Sequence, residues 1–257
     1  MSNCFWIIKN CELFSNLATD DIVHLESHSS MKRLKKGERI YLPEDSADSV
    51  LLVVEGRIKI CHTTQDGKES ILNFVDAGEL FGELSILGEG SHLDSAETIE
   101  KSTVVMIPRS ALIPVLRKYP SVVFGVTKLI GRRRQRIERR LRNLLFRSNR
   151  QRIIHLLIEL TEKYGSQSEN GISLNIRLSH QEIASLIGST RETVTVVLGQ
   201  LKAQGLIDIA RRRIMINDLQ TMANEVNEKV RLPKKYDPHV NGRNLPHLNT
   251  QVANAKS

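Results

Sequence analysis

Thr190, Arg191, Glu192 and Thr195 open a helically spaced stretch, RETVTVVLGQL, and their side chains suit one kind of chemistry. A guanidinium can bond guanine O6 and N7 together, a Glu carboxylate can accept from cytosine N4, and a Thr can touch a thymine methyl. A helix N-terminus beside them also favours phosphate. The surrounding sequence, LSHQEIASLIGSTRETVTVVLGQL, holds two capping-box spacings, Ser179 with Glu182 and Ser189 with Glu192. Ile187-Gly188-Ser189 makes the turn between them. Ile183, Leu186 and Ile187 give the first helix an apolar face, and Val194, Val197, Leu198 and Leu201 give one to the second. This order is that of a helix-turn-helix, whose second helix enters the DNA major groove. Leu206–Ala210 and Arg213–Asn217 then read as a β-hairpin with Arg211 and Arg212 at its tip, a wing placed to hold phosphates. Arg211, Arg212, Arg213, Ser179 and Ser189 are the candidate phosphate contacts. A plain surface ion pair between Arg191 and Glu192 is the competing interpretation; the double cap, the basic wing and a long helix upstream favour double-stranded DNA.

Something must carry and orient this unit, and the charge distribution shows where it begins. The 257 residues have a net charge of +8, but residues 1–120 hold 13 Lys and Arg against 18 Asp and Glu, while 121–257 hold 24 against 11. An acidic front and a basic back predict two modules, the second facing a polyanion. Between Met31 and Pro108, short apolar runs alternate with turns at Lys36-Gly37, Asp66-Gly67 and Asp76-Ala77-Gly78, the pattern of an antiparallel sandwich or roll. Ahead of it, NCELFSNLATDDIVHL reads as short helices with Thr19 as an N-cap. SALIPVLRKYP reads as a helix stopped at Pro120.

Beyond Ser121 a long helix is expected, with Val123, Val126, Ile130, Ile137, Leu141 and Leu144 forming a narrow stripe. Such a stripe is most simply the seam of a two-stranded coiled coil with a second copy of the chain, the alternative being a helix buried on its own domain; the narrow stripe and densely charged remaining faces favour self-association. A second helix, RQRIIHLLIELTEKYG, ends at Gly165 with that glycine as a C′ residue, and GSQSENG follows as a polar loop. Residues 221–257 lack apolar periodicity over most of their length and read as a flexible tail.

Several function classes are excluded or disfavoured. No apolar run approaches the ~20 residues of a membrane span, and the N-terminus lacks a secretory pattern, so the cytoplasm is the expected compartment. Cys4, Cys11 and Cys61 make neither a disulfide framework nor a zinc spacing, and no metal site is expected. No nucleophile elbow, GxxxxGK[ST] loop, HExxH helix or CxxC pair points to an enzyme.

Over about residues 10–218 the chain resembles the Crp/Fnr superfamily of bacterial transcription regulators. The resemblance rests on LFSNL, the Gly-punctuated roll, FGELSIL, the long helix and HQEIASLIGSTRETV. It implies an α+β fold: an N-terminal antiparallel β-roll (a double-stranded β-helix, jelly-roll-like) over 1–120, a dimerisation helix over 121–147, and a C-terminal winged helix-turn-helix over 148–220. It also implies a homodimer on a palindromic operator, RNA polymerase as a further partner, and a small effector held near Phe81, Gly82, Glu83, Leu84, Arg133 and Glu138. Arg191 and Glu192 match positions at which the cyclic-AMP-receptor branch reads a TGTGA-like half-site, whereas Val196 replaces a second base-reading Arg. Gly82 and Glu83 match the pair that meets the ribose of cyclic AMP. Asp94 stands where a phosphate-binding Arg is expected, and Ile137 and Glu138 replace a Thr-Ser pair, which argues against cyclic AMP. The recognition helix resembles more closely that of the nitrogen-control branch, whose effector is 2-oxoglutarate, and Arg133 and Glu138 match two of its effector residues. An organic anion of that kind is therefore the expected effector, with an empty, degenerate pocket as the alternative.

Overall fold

The computed structural model describes residues 4–88, 90–168, 171–210 and 213–229. Two helices, α1 (Cys4–Asn10) and α2 (Thr19–His28), precede a roll of eight strands: β1 (Ser30–Leu34), β2 (Arg39–Tyr41), β3 (Ser49–Glu55), β4 (Arg57–Thr63), β5 (Glu69–Asp76), β6 (Leu80–Phe81), β7 (Ser95–Thr98) and β8 (Ser102–Pro108). A short helix α3 (Leu84–Leu87) lies between β6 and β7, and α4 (Arg109–Lys118) follows β8. The strands form two antiparallel sheets in the orders β1-β8-β3-β6 and β2-β7-β4-β5. The inner faces enclose Leu34, Leu51, Val53, Ile58, Val75, Phe81 and Val104, and the outer face of the first sheet is covered by α1, α2 and α4. The jelly-roll expectation holds because short apolar runs alternate with turns that reverse the chain. At the β3–β4 turn, Gly56 has φ +86°, and a Cβ there would collide with the Lys101 carbonyl and Ser102.

Two helix starts differ from expectation. The N-cap of α2 is Ala18, and Thr19 is already helical; Asp20 and Asp21 still occupy the first turn, where carboxylates suit the helix dipole. Asp21 also accepts from Lys118 Nζ (2.8 Å) and the Tyr119 hydroxyl (2.5 Å), tying α2 to the end of α4. Pro120 does more than stop α4: it is the first residue of α5 (Pro120–Phe146), where its missing N–H costs nothing.

The apolar stripe of α5 divides. Val126 is buried against the chain's own front domain with Val122, and Ile130 is half-buried. Val123, Ile137, Leu141 and Leu144 stay exposed, joined by Phe124, Leu145 and Phe146. One face of the helix, with Val122 and Val126, therefore belongs to the front domain, and the exposed apolar side chains are available to a second copy.

After α5 come α6 (Asn149–Tyr164), β9 (Gly165–Ser168), β10 (Gly171–Leu174), α7 (His180–Ile187), α8 (Arg191–Ala203), β11 (Ile207–Ala210), β12 (Arg213–Ile216) and α9 (Leu219–Val226). The strands form one antiparallel sheet, β11-β12-β10-β9. Gly165 has φ −71° and ψ 138°, extended rather than left-handed, so the first four residues of the segment read as a polar loop form strand β9, paired with β10 from Gly171 onward. The tail expectation is also corrected at its start. Leu219, Met222, Ala223 and Val226 are buried in the core of the C-terminal unit, and α9 packs on α6. From residue 230 onward the expected tail lies outside the described residues.

The two modules are docked. Cys61, Ile71 and Phe74 of the β4–β5 hairpin share one apolar cluster with α6 and α7. Asp76, at the end of β5, pairs with Arg57, with Lys163 Nζ (2.6 Å) and with the Tyr164 hydroxyl (2.9 Å). Among the described residues no helix is long and apolar enough to cross a membrane.

Candidate nucleic-acid interface and effector cavity

The helix-turn-helix is built as its capping chemistry dictates, with one displacement. At α7, Ser179 Oγ accepts from Glu182 N (3.2 Å) while Ser179 N donates to Glu182 Oε2 (2.7 Å), the expected reciprocal box. Gly188 closes α7 in the left-handed conformation, φ +63° and ψ 50°. At α8 the N-cap is Thr190 rather than Ser189: Thr190 Oγ1 accepts from Thr193 N (3.2 Å), and Glu192 makes no box. The turn consumes one more residue than the S-x-x-E spacing suggested. Glu192 is thereby freed from a capping role.

Arg191, Glu192, Thr195 and Val196 are exposed along the first turns of α8, whereas Val194, Val197, Leu198 and Leu201 are buried. Among the described residues neither Arg191 nor Glu192 has an ion-pair partner, so they do not form the simple surface pair considered as the competing interpretation. Thr190 is exposed but its hydroxyl is engaged in the cap. Thr195 Oγ1 donates to Arg191 O (2.9 Å) and lies 2.8 Å from His180 Nδ1. Ser179 and Ser189 are half-buried, with the Ser179 hydroxyl donating to Glu182 (2.7 Å). Arg213 is exposed at the start of β12; Arg211 and Arg212 lie outside the described residues. A groove between α7, α8 and the wing is lined by His180, Gln181 and Arg191. The sequence reasoning passed over His180 and Gln181, although their place in the first turn of α7 beside Thr195 makes them neighbours of the reading face. Exposed Arg177, just ahead of α7, was passed over as well.

A second feature lies where the roll meets α5. A cavity of about 410 Å³ is walled by Tyr41, Ile60, Leu72, Leu93, Ile130 and Ile137. Phe81, Gly82, Glu83, Leu84, Arg133 and Glu138, expected together on resemblance alone, all line it. Glu83 is buried and pairs with Arg133, whose guanidinium also donates to the Leu80 carbonyl. Glu138 pairs instead with Arg134 four residues back (2.8 Å), at an exposed position. Asp94 faces the same space: burial raises its carboxyl pKa, partly offset by the Tyr41 hydroxyl and His92. The His92 ring stacks on Tyr41 at 3.6 Å between centroids. No group of three or more metal-ligating side chains is assembled among the described residues.

Residues 31–119 match the model of the cyclic nucleotide-binding domain, and residues 151–225 match that of the Crp-like helix-turn-helix domain. The "Global nitrogen regulator" of Synechococcus elongatus is 30% identical over 189 residues, covering 72% of this chain and 85% of that protein. The chain belongs to the Crp/Fnr family of transcription regulators. A "CRP-like cAMP-activated global transcriptional regulator" of Mycobacterium tuberculosis is 26% identical over 217 residues, 84% of this chain and 97% of that one. Among solved structures, a CRP-family transcriptional regulator from Thermus thermophilus is similar at 27% identity with a TM-score of 0.65, covering 78% of this chain and 98% of the other. The Crp/Fnr fold thus accounts for the roll, the long helix and the winged helix. It identifies the chain as a DNA-binding transcription regulator.

Proposed function

We propose that this regulator acts as a homodimer on a palindromic operator, with Arg191, Glu192, Thr195 and Thr190 at the base edges. Arg213, Arg211, Arg212, Ser179 and Ser189 then hold the phosphates. The observation that carries the reading is that Arg191 and Glu192 are exposed, and without ion-pair partners among the described residues, at the N-terminus of a helix whose opposite face is buried. The dimer rests on the exposed apolar face of α5 at Ile137 and Leu141, which would bury against its own copy. Two such subunits place their recognition helices in successive major grooves about 34 Å apart. RNA polymerase is the partner through which binding becomes regulation, and the cytoplasm is the compartment.

The cavity between roll and α5 is the effector seat, and its occupation shifts how the two long helices pack. Its chemistry bears on what enters. Asp94 stands where the resemblance puts a phosphate-binding Arg, and a carboxyl there offers a cyclic phosphate no counter-charge, so the cyclic AMP named for the Mycobacterium relative is not the effector proposed for this chain. An organic anion such as 2-oxoglutarate can bind through the planar fork of Arg133, provided that it displaces Glu83. The apolar walls otherwise suit an uncharged molecule. A gel-shift salt titration on genomic fragments tests the core of the reading: log K should fall steeply with log salt. A flat response, or no retained fragment, would assign the winged helix to a protein partner instead. Repeating it with 2-oxoglutarate, cyclic AMP and an extract of apolar metabolites separates the effector classes.

A further inference from the structure

The cavity between the roll and α5 has walls whose charges admit one class of occupant. Its volume of about 410 Å³ falls within the ~300–1,000 Å³ of small-molecule sites. Ile60, Leu72, Phe81, Leu93, Ile130 and Ile137 make much of the wall apolar. The rings of His92 and Phe81 both stack on Tyr41, at 3.6 and 6.2 Å between centroids.

Among the described residues, every guanidinium that lines the cavity is already engaged. Arg133 donates to the Glu83 carboxylate and to the Leu80 carbonyl, and both side chains of the pair are largely buried. Arg134 pairs with Glu138 at 2.8 Å. Arg136 donates to Asn73 Oδ1 and pairs with Glu159 at 3.3 Å. An entering anion must take one of these groups from its partner. At Arg133, the most enclosed of the three, that leaves the buried Glu83 carboxylate without its cation, which is strongly unfavourable.

Asp94 is the odd acid, since among the described residues no Lys or Arg pairs with it. Its neighbours are the Tyr41 hydroxyl, which donates to it, together with His92 and Glu83. Burial lowers the His92 pKa, so the ring beside Asp94 stays uncharged near neutral pH. Burial raises the Asp94 carboxyl pKa, and Glu83 adds to the shift. A carboxyl group has several lone-pair sites, and Tyr41 and the backbone N–H of Asp94 occupy only part of them. The wall thus holds an acceptor in want of a donor, and no cation free to receive an acid.

We propose that the occupant of this cavity is an uncharged, mostly apolar molecule that presents an N–H or O–H donor to Asp94. The proposal rests on the cavity being the effector seat and fixes the chemistry of what sits there. The ligand packs on the apolar walls, takes Asp94 as its polar anchor and leaves the Arg133–Glu83 pair intact. Because Ile130 and Ile137 belong to α5 while Leu72 and Asp94 belong to the roll, it touches both sides of the junction.

Two dyes built on one skeleton provide the test. N-phenyl-1-naphthylamine is neutral and carries an N–H; 1-anilinonaphthalene-8-sulfonate is the same molecule with a sulfonate added. Each is titrated into full-length protein and followed by its own fluorescence. The naphthylamine should bind saturably, and roughly tenfold or more tighter than the sulfonate. Leu72→Trp, which fills the cavity, should abolish that binding; should this variant fold poorly, Leu72→Phe should weaken it. Asp94→Leu should weaken it as well, Asp94→Asn keeps an acceptor and should preserve it, and Asp94→Arg should turn the preference toward the sulfonate. No naphthylamine binding, sulfonate binding as tight, displacement of the naphthylamine by 2-oxoglutarate, or binding indifferent to the Leu72 and Asp94 variants would each overturn the proposal. The effector reading is tested apart from it, by an operator gel shift with and without each dye. A bound naphthylamine that leaves operator affinity unchanged removes the effector role and keeps the ligand class. A sulfonate that binds here and moves operator affinity keeps the role and overturns the class.

Discussion

Arg191 decides what kind of surface α8 presents. It lies directly after the N-cap, is exposed, and has no carboxylate to neutralise it among the described residues. Replacing it with Ala removes a bidentate donor without touching the buried face. Arg191→Ala should therefore lower discrimination at one base pair by ~1–3 kcal/mol while leaving thermal stability unchanged. Competition between matched and single-mismatch operators measures this; equal weakening on all sequences would move Arg191 to the phosphates. Gly188 makes the complementary case, a residue that matters through the backbone. Its φ of +63° is costly for any side chain, and a Cβ there would lie 2.7 Å from Leu144 Cδ2 of α5. Gly188→Ala should cost about 1–2 kcal/mol in urea unfolding. No loss would mean that the turn and Leu144 both relax freely.

At the scale of elements, what the sequence made legible was what local chemistry encodes. The box at Ser179, the glycine turn and the buried stripe of α8 are short-range, and they stand where the spacing put them. The α8 cap moved from Ser189 to Thr190 because both residues can cap and only the length of the turn chooses between them. Helix α9 was missed although Leu219, Met222, Ala223 and Val226 have helical spacing, because a lone eight-residue stretch beside a polar C-terminus carries little weight. The β9–β10 pair was missed because GSQS has turn composition, and only pairing with β12 through β10 makes it a sheet edge. The cavity was legible only through family resemblance: Glu83 and Arg133 are 50 positions apart, and nothing local announces their pairing. On α5 the stripe, read as one face, divides in the structure into a part buried within the chain and a part left exposed. Ile137 and Leu141, both half exposed, belong to the part left open to solvent, Ile137 also at the edge of the roll–α5 cavity. Burying a Leu there contributes ~1.5–3 kcal/mol to association per subunit. Leu141→Glu should therefore yield a folded monomer by sedimentation, with operator affinity lost. A persistent dimer would shift the interface toward Phe124 or Phe146.

Across the whole molecule, the roll and the winged helix are held together by a hub that neither module contains alone. Asp76 and Arg57 belong to the β4–β5 hairpin, Lys163 and Tyr164 to the end of α6, and the Arg57 guanidinium lies 4.6 Å from the Tyr164 ring centroid. Burial pushes the Asp76 carboxyl pKa up, but Lys163 and Arg57 outweigh it, and the net direction is down. The same burial raises the Tyr164 phenol, which therefore stays protonated and donates to Asp76. For a carboxyl depressed in the folded state, the stabilisation is complete above its unfolded pKa of about 3.9 and is lost as pH falls through the lower folded value. Docking should accordingly be at full strength at neutral pH and weaken only in acid. Asp76→Asn leaves two largely buried cations without their acid and should cost about 2–4 kcal/mol at pH 7, less than a fully buried pair because the site keeps some solvent. Below pH 4 the penalty should shrink, because Asp76 of the unfolded wild-type chain takes up a proton there while the folded carboxylate, held at a lower pKa, still does not. Urea unfolding of both proteins across this range, with limited proteolysis at the α5–α6 bend as a probe of docking, measures the difference directly. A penalty that stays constant with pH would mean that the apolar contact of Cys61, Ile71 and Phe74 with α6 and α7 holds the modules together, and that the charges at Asp76 merely accompany it.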